Sequence, residues 1–386
     1  MTTILHSQDF TTHYFLLRLD HRESHTKSPI SFVFFTNIQH LGTHQLETIN
    51  NMRYSASLVA AATGLLAGRA LAQYSLSNTY DAGNFFDSFN FFTGHDPTNG
   101  FVEYVDGQAA NAEGLAGTAN GAVFMGVDKT TVNPPNGRRS VRLESRDTFT
   151  KGLFILDATH MPASECGAWP AFWMFGDGSP GWPNQGEIDI IEGVNNQVSN
   201  INTLHTGPEC RITNDGTAQG TELEGEDCNA GNGNLGCGQK TTNNQNYGDG
   251  FNDIQGGVYA TEWTSEHISV WFFPRDRIPE DITNGNPNPS AWGPPQARFN
   301  GGQGCNIDDH FYGHKIIFNT TFCGDWAGAV EVWNNNPECS AKAATCKDHV
   351  AGNPGAFEDA FWTVNSLKVY SANQTKREAV PAAFKA

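Results

Sequence analysis

What most constrains this chain is the grain of its apolar segments. Beyond residue 120 nearly all of them are short, β-patterned and bounded by Gly, Asn, Pro or Asp, and no long helical period appears. Residues 122–127, 140–145, 152–157, 188–192, 201–205, 267–273, 315–322, 329–333 and 363–370 each read as a strand. In Ser140-Val-Arg-Leu-Glu-Ser145 apolar and polar residues alternate, the mark of a strand with one wet face. Many such strands joined by Gly/Asn-rich loops predict an all-β fold, a two-sheet antiparallel β-sandwich. Residues 207–257 are too polar and too long for a simple turn, and Cys210, Cys228 and Cys237 inside them suggest a stapled loop. With no internal repeat and no Pro/Ser-rich linker, residues 73–371 are expected to form one large domain, followed by a tail at 372–386.

The first 72 residues differ from the rest. Residues 1–51 hold six of the 13 histidines and a single glycine. From Met52 the chain runs through Arg53, an apolar stretch from Leu58 to Ala67, and Ala70-Leu-Ala72 before Gln73, the n-region, h-region and A-x-A site of a secretory signal peptide. The apolar stretch is roughly half the ~20 residues that span a bilayer, which disfavours a membrane anchor. Residues 52–72 are therefore expected to be a signal peptide. Residues 1–51 are expected to be either a start assigned too early, with translation beginning at Met52, or a disordered extension. The polar stretch after Tyr370 does not read as a hydrophobic lipid-anchor tail. A freely secreted, extracellular protein is expected.

Charge and cysteine usage agree with that destination. Of 23 Lys+Arg and 41 Asp+Glu, five and four precede Gln73, so the remainder carries 18 against 37. So acidic a chain, without a basic run, offers nothing to a phosphate backbone or an anionic membrane surface; neutral or cationic ligands fit better. All eight cysteines follow the signal and form no C-x-x-C pair, which points to disulfides rather than zinc. Asn319 and Asn373 stand in N-x-[ST] sequons, compatible with glycosylation.

The most informative stretch is Trp182-Pro-Asn-Gln-Gly-Glu187-Ile-Asp189-Ile-Ile-Glu192. In a regular strand Glu187 and Asp189 share a face, and Glu192 has the wrong parity. One extra residue accommodated near Ile190-Ile191, a β-bulge, would bring all three carboxyls to one side. Three neighbouring acids repel, so at least one holds its proton well above the usual range. A retaining glycosidase uses such a set: one ionised carboxylate as nucleophile and one protonated carboxyl as general acid, about 5–5.5 Å apart. The alternatives are a solvated acidic face or a hard cation held by oxygen ligands. Nearby aromatics favour sugar, because indole faces pack on the C–H faces of pyranose rings. Trp182, in a Gly/Pro-rich loop, is the better platform; Trp169 and Trp173, taken singly, read more readily as core anchors. His205, on the expected neighbouring strand, reads equally as a partner for carboxyl or sugar and as a structural residue.

Taken together, Gly186-Glu-Ile-Asp-Ile-Ile-Glu-Gly-Val-Asn195, Trp169-Pro-Ala-Phe-Trp173, Thr203-Leu-His-Thr206, Val270-Trp-Phe-Phe-Pro-Arg275 and Asn319-Thr-Thr-Phe-Cys-Gly-Asp-Trp-Ala-Gly328 resemble glycoside hydrolase family 16 over roughly residues 74–370. They are most similar to its secreted fungal laminarinase and endo-1,3(4)-β-glucanase branch. The resemblance implies a concanavalin A-like β-jelly roll, an open cleft and a retaining mechanism with Glu187 as nucleophile, Glu192 as acid/base and Asp189 assisting. It also implies that Trp173, Trp182, His205 and Trp326 line sugar subsites, that no cofactor or catalytic metal is needed, and that a monomer acts on β-glucan. The six-residue form of the motif resembles members that cut β-1,3 linkages and tolerate mixed 1,3/1,4 chains. The loop 174–181 is longer than the branch leads one to expect. Two other functions on the same fold are a non-catalytic β-glucan-binding protein, marked by loss of an acid, and a cell-wall glucan transglycosylase, which keeps all three.

Overall fold

Alternation of side chains along extended backbone builds two faces per strand, and here it builds two eight-stranded antiparallel sheets whose apolar faces meet. A computed structural model describes residues 74–233 and 236–373. The sheet that carries the acids runs, in spatial order, Glu222–Leu223, Cys237–Lys240, Ile201–His205, Glu187–Glu192, Ala168–Gly176, His314–Phe322, Arg142–Ser145 and Phe89–Phe91. The second sheet is built around Gly257–Trp263, Gly152–His160 and Trp362–Ala372. Between them Leu143, Phe172, Met174, Ile188, Leu204 and Phe318 from the first sheet bury against Phe154, Leu156, Tyr259, Val270 and Leu367 from the second. Each such side chain contributes about 1.5–3 kcal/mol when fully buried. The expected all-β sandwich is thus present, with one addition: Val102–Tyr104 and Arg138–Ser140 pair in parallel as a separate two-stranded ribbon.

Three sequence expectations need correction. Residues 140–145 are divided between Arg138–Ser140 and Arg142–Ser145, and no wet face results, because Ser140, Arg142 and Ser145 are all buried. Residues 329–333, expected as a strand, lie largely in the helix Val330–Asn334. Trp333 is fully buried while Val330 is 73% exposed, and the Trp333 amide donates to the Ala329 carbonyl, a helical spacing. Tertiary anchoring overrides the β propensity of Val-Glu-Val: the segment is held by disulfides Cys323–Cys346 and Cys166–Cys339 beside a small apolar cluster that includes Trp333, Val350 and Phe357. Residues 207–257 are not one loop; they contain the strands Glu222–Leu223 and Cys237–Lys240 and the helix Gly248–Asp253. Stapling there is as expected, through Cys228–Cys237 and Cys210–Cys305. Four disulfides at about 2–4 kcal/mol each are a substantial share of the stability of a fold so rich in loops.

Among the described residues the longest helix has seven residues, and no helix is long and apolar enough to cross a membrane. The expected extension 1–51, the signal peptide 52–72 and residues 374–386 of the tail lie outside the described residues.

Candidate active site

Glu187–Glu192 is a central strand whose pairing with Ala168–Gly176 slips once. Glu187 faces Phe175 and Asp189 faces Trp173, but Ile191 faces Phe172 and Glu192 faces Ala171, so Ile190 is the extra residue. The parity error of Glu192 is thereby cancelled, and Ile188, Ile190 and Ile191 are all fully buried. A bulge leaves backbone groups without ladder partners. Two asparagines supply them: Asn200 and Asn202 donate from Nδ2 to the Ile190 carbonyl at 2.8 and 2.7 Å, and the Glu192 N–H donates to Asn200 Oδ1 at 2.9 Å. Both asparagines are wholly buried. At the other end of the strand Gly186 has φ +80, and a Cβ there would lie 2.4 Å from the Phe311 ring and 2.5 Å from the His310 carbonyl. Only glycine lets the chain enter this strand so close to its neighbour.

Each glutamate meets an indole. Trp182 donates from Nε1 to Glu187 Oε2 at 2.8 Å, and Trp169 donates from Nε1 to Glu192 Oε1 at 2.9 Å. Trp182 is 43% exposed, as a platform should be. His205 pairs directly opposite Glu187, on the neighbouring strand as expected. Its Nε2 lies 3.5 Å from Asp189 Oδ2 and 3.9 Å from Glu187 Oε1. Donor atoms of Glu187, Asp189 and His205 fall within 4.8 Å of one another, a spacing that a proton or a small cation can bridge.

The electrostatics follow from burial. Asp189 is 3% exposed, its Oδ2 has no hydrogen-bond partner, and burial followed by repulsion from Glu187 and Glu192 holds its carboxyl well above the usual range. Burial likewise raises Glu192 to about 7, against the Trp169 N–H, which favours the ionised form. Glu187 is raised to about 8 by burial and then by Glu192, with Trp182 and Arg142 opposing. His205 is pushed down to about 4 by burial, so near neutrality it is an uncharged imidazole.

The same outer face continues across the sheet. Trp173 donates to Asn319 Oδ1 at 2.7 Å and stacks on Phe175, while the Arg142 guanidinium lies 4.6 Å over Phe92 and 5.0 Å over Trp173. Trp326, on the short helix Gly324–Ala327, meets Trp169 edge-on at 5.5 Å rather than any of the acids. The expected loop 174–181 begins later than expected, because the strand runs on to Gly176. Asn319, a sequon residue, is 7% exposed with both amide atoms engaged, Nδ2 donating to the Tyr104 hydroxyl.

Glu187, Asp189, Glu192, His205 and Trp182 therefore converge, with Trp173 beside Asp189 in register and Trp326 one ring removed. Sequence reasoning placed Trp169 in the core and missed Arg142, Asn200 and Asn202. Parity carried the signal for Trp169, since residues 169, 171 and 173 share the face that opposes Glu192 and Asp189.

A model of the XgeA-like catalytic GH16 domain matches residues 89–370. Endo-1,3(4)-β-glucanase of Arthroderma benhamiae is 45% identical over 318 residues, which cover 80% of this chain and 68% of that protein. The chain spans about half the length of its Aspergillus fumigatus relatives. Among solved structures, an elongating family 16 β-1,3-glucosyltransferase is 43% identical with a TM-score of 0.71, over 77% of this chain and all of that one. Laminarinase 16A from Phanerochaete chrysosporium, solved with 6-O-glucosyl-laminaritriose in donor and acceptor sites, is 39% identical with a TM-score of 0.72, over 77% and 99%. With a catalytic-domain model spanning nearly all of the sandwich and its bulged acidic strand, the chain belongs to glycoside hydrolase family 16.

Proposed function

We propose that this chain is a secreted endo-β-glucanase that cleaves β-1,3 and mixed β-1,3/1,4 glucans with retention, by double displacement through a glycosyl-enzyme on Glu187. The observation that carries it is the bulge at Ile190, which turns two glutamates and an aspartate of one strand onto one indole-lined face. Glu187 attacks the anomeric carbon while Glu192 gives its proton to the departing glycosidic oxygen. Esterification removes the Glu187 charge; Glu192, now ionised, takes a proton from water, which attacks the same carbon and frees Glu187. Asp189, whose buried carboxyl is held well above the usual range, removes one of three like charges from the set when it keeps its proton and can then donate to Glu187. Burial raises both glutamates. The roles of the two glutamates are therefore assigned by their places on the strand and by the family resemblance, not by their resting acidities.

Residues 73–371 form the catalytic domain in this account, behind a signal peptide at 52–72, and four disulfides suit an oxidising, extracellular destination. The protein acts as a monomer on β-glucan, with Trp173, Trp182, His205 and Trp326 along the sugar path. One observation favours a second reading: the 43%-identical neighbour is an elongating glucosyltransferase, and the Trp169–Trp326 pair beside Glu192 offers a surface on which a sugar, rather than water, can wait for the intermediate.

Product analysis of the protein from Gln73 on laminarin, barley mixed-linkage glucan and cellulose tests this. Shorter oligosaccharides from the first two, none from cellulose and none with Glu187→Gln are expected. Products longer than the starting glucan assign the transferase, and binding without products refutes catalysis.

A further inference from the structure

We propose that Trp169 is the positioning residue of the acid/base: its indole N–H fixes the Glu192 carboxyl and stabilises it as charge develops, with Trp326 holding the indole edge-on. This rests on the assignment of Glu192 as acid/base. Three observations place it there. The Nε1–Oε1 distance of 2.9 Å is that of a good hydrogen bond, and among the described residues no other side chain donates to this carboxyl. Ala171 stands directly opposite Glu192, and its small side chain leaves the indole two residues away free to reach across. Finally, Trp169 is only half-buried, unlike the core residues Phe172 and Met174 of the same strand, and its ring packs on Trp326 of the Gly324–Ala327 helix rather than in the sheet interface.

The chemistry is differential. A neutral carboxylic acid accepts weakly from an N–H, whereas a carboxylate accepts strongly. When Glu192 passes its proton to the glycosidic oxygen, the Trp169 bond strengthens along with the charge, so it stabilises the transition state more than the ground state. In the second half-reaction the same bond makes Glu192 a weaker base toward water. The titratable groups that interact with Glu192 are Glu187 and Asp189 on its own strand and the buried Tyr247, while the neutral His205 on the next strand lies against Asp189 and Glu187, and Arg142, over the Trp173 ring, acts on Glu187. None of these supplies a donor to its carboxyl.

Trp169→Phe keeps a ring against Trp326 and deletes the N–H. The readout is kcat/KM, which reports the first half-reaction, across the pH range on laminarin and on a dinitrophenyl β-laminaribioside whose leaving group needs no proton. The variant is expected to lose about tenfold on laminarin, with KM changed less than about twofold. Its alkaline limb should move up by about half to one pH unit, because the ionised form of Glu192 has lost its donor, while the aryl glycoside is cleaved nearly as fast as by the wild type. Trp326→Ala, which leaves the sheet untouched, should move the same limb in the same direction by less, and serves if Trp169→Phe does not fold. Equal losses on both substrates with an unmoved alkaline limb in both variants overturn the proposal. Glu192→Gln separates the two levels: if it retains laminarin turnover, the acid/base assignment itself fails, whereas an inactive Glu192→Gln beside an unshifted Trp169→Phe sinks only the positioning role.

Discussion

Replacing Glu192 by Gln should make the substrate-free protein more stable in alkali and leave it unchanged in acid. Burial raises this carboxyl from 4.5 in the unfolded chain to about 7 in the folded one. A raised folded pKa means that protonation favours the fold: the contribution is fully present below about pH 4.5 and is lost as pH climbs to about 7, where the folded protein must also ionise. The difference of two to three pH units corresponds to about 3.5 kcal/mol at about 1.4 kcal/mol per unit. Part of it is lost to local relaxation and water entry, so about 2–3 kcal/mol is expected. Gln keeps the shape and can still accept from Trp169, but carries no charge. At roughly 2 °C per kcal/mol for a domain of this size, the variant should melt about 4–6 °C above the wild type at about pH 8, and within about 1 °C of it at about pH 4. Scanning calorimetry of both proteins through this range is the assay. A difference that is constant with pH, or that widens toward acid, would refute the reasoning that burial sets this group.

The bulge makes a second prediction: Asn200→Ala strips one of two donors from the Ile190 carbonyl and the acceptor from the Glu192 amide, so it should cost about 2–3 kcal/mol in denaturant unfolding. It should also lower kcat more than it raises KM, because the acid/base loses its backbone anchor; an unchanged kcat would contradict that. Peptide mapping by mass spectrometry of the active secreted protein should find Asn319 without glycan, because its amide is buried between Trp173 and Tyr104. A glycan on Asn319 in active protein would mean that this face is not the substrate path.

Fold class was legible because an antiparallel sandwich writes itself into many short apolar segments bounded by turn residues. The bulge was legible for a sharper reason. A conflict of parity between Glu187 and Glu192 has few structural solutions, and an extra residue at Ile190 is the one adopted. Residues 329–333 were misread because local propensity ignores the two disulfides and the Trp333 anchor that hold the segment helical. Asn200 and Asn202 were missed because their work is done against a backbone irregularity, which no residue pattern announces. Trp169 could have been found: its parity with Trp173 was available, but the general preference of Trp for the core outweighed it. Arg142 lies over Phe92, just past the strand Phe89–Phe91, and over Trp173 of another strand, contacts set by topology rather than by sequence proximity.

The central claim is that Glu187 becomes covalently bound to sugar. Incubation with 2-deoxy-2-fluoro-β-laminaribiosyl fluoride, which forms the intermediate readily and releases it slowly, followed by proteolysis and mass spectrometry, tests it directly. A fluoroglycosyl adduct on Glu187, in a protein that releases β-configured products from laminarin, is the expected result. An adduct on Asp189 or Glu192 instead, or α-configured products with no adduct at all, would contradict the account.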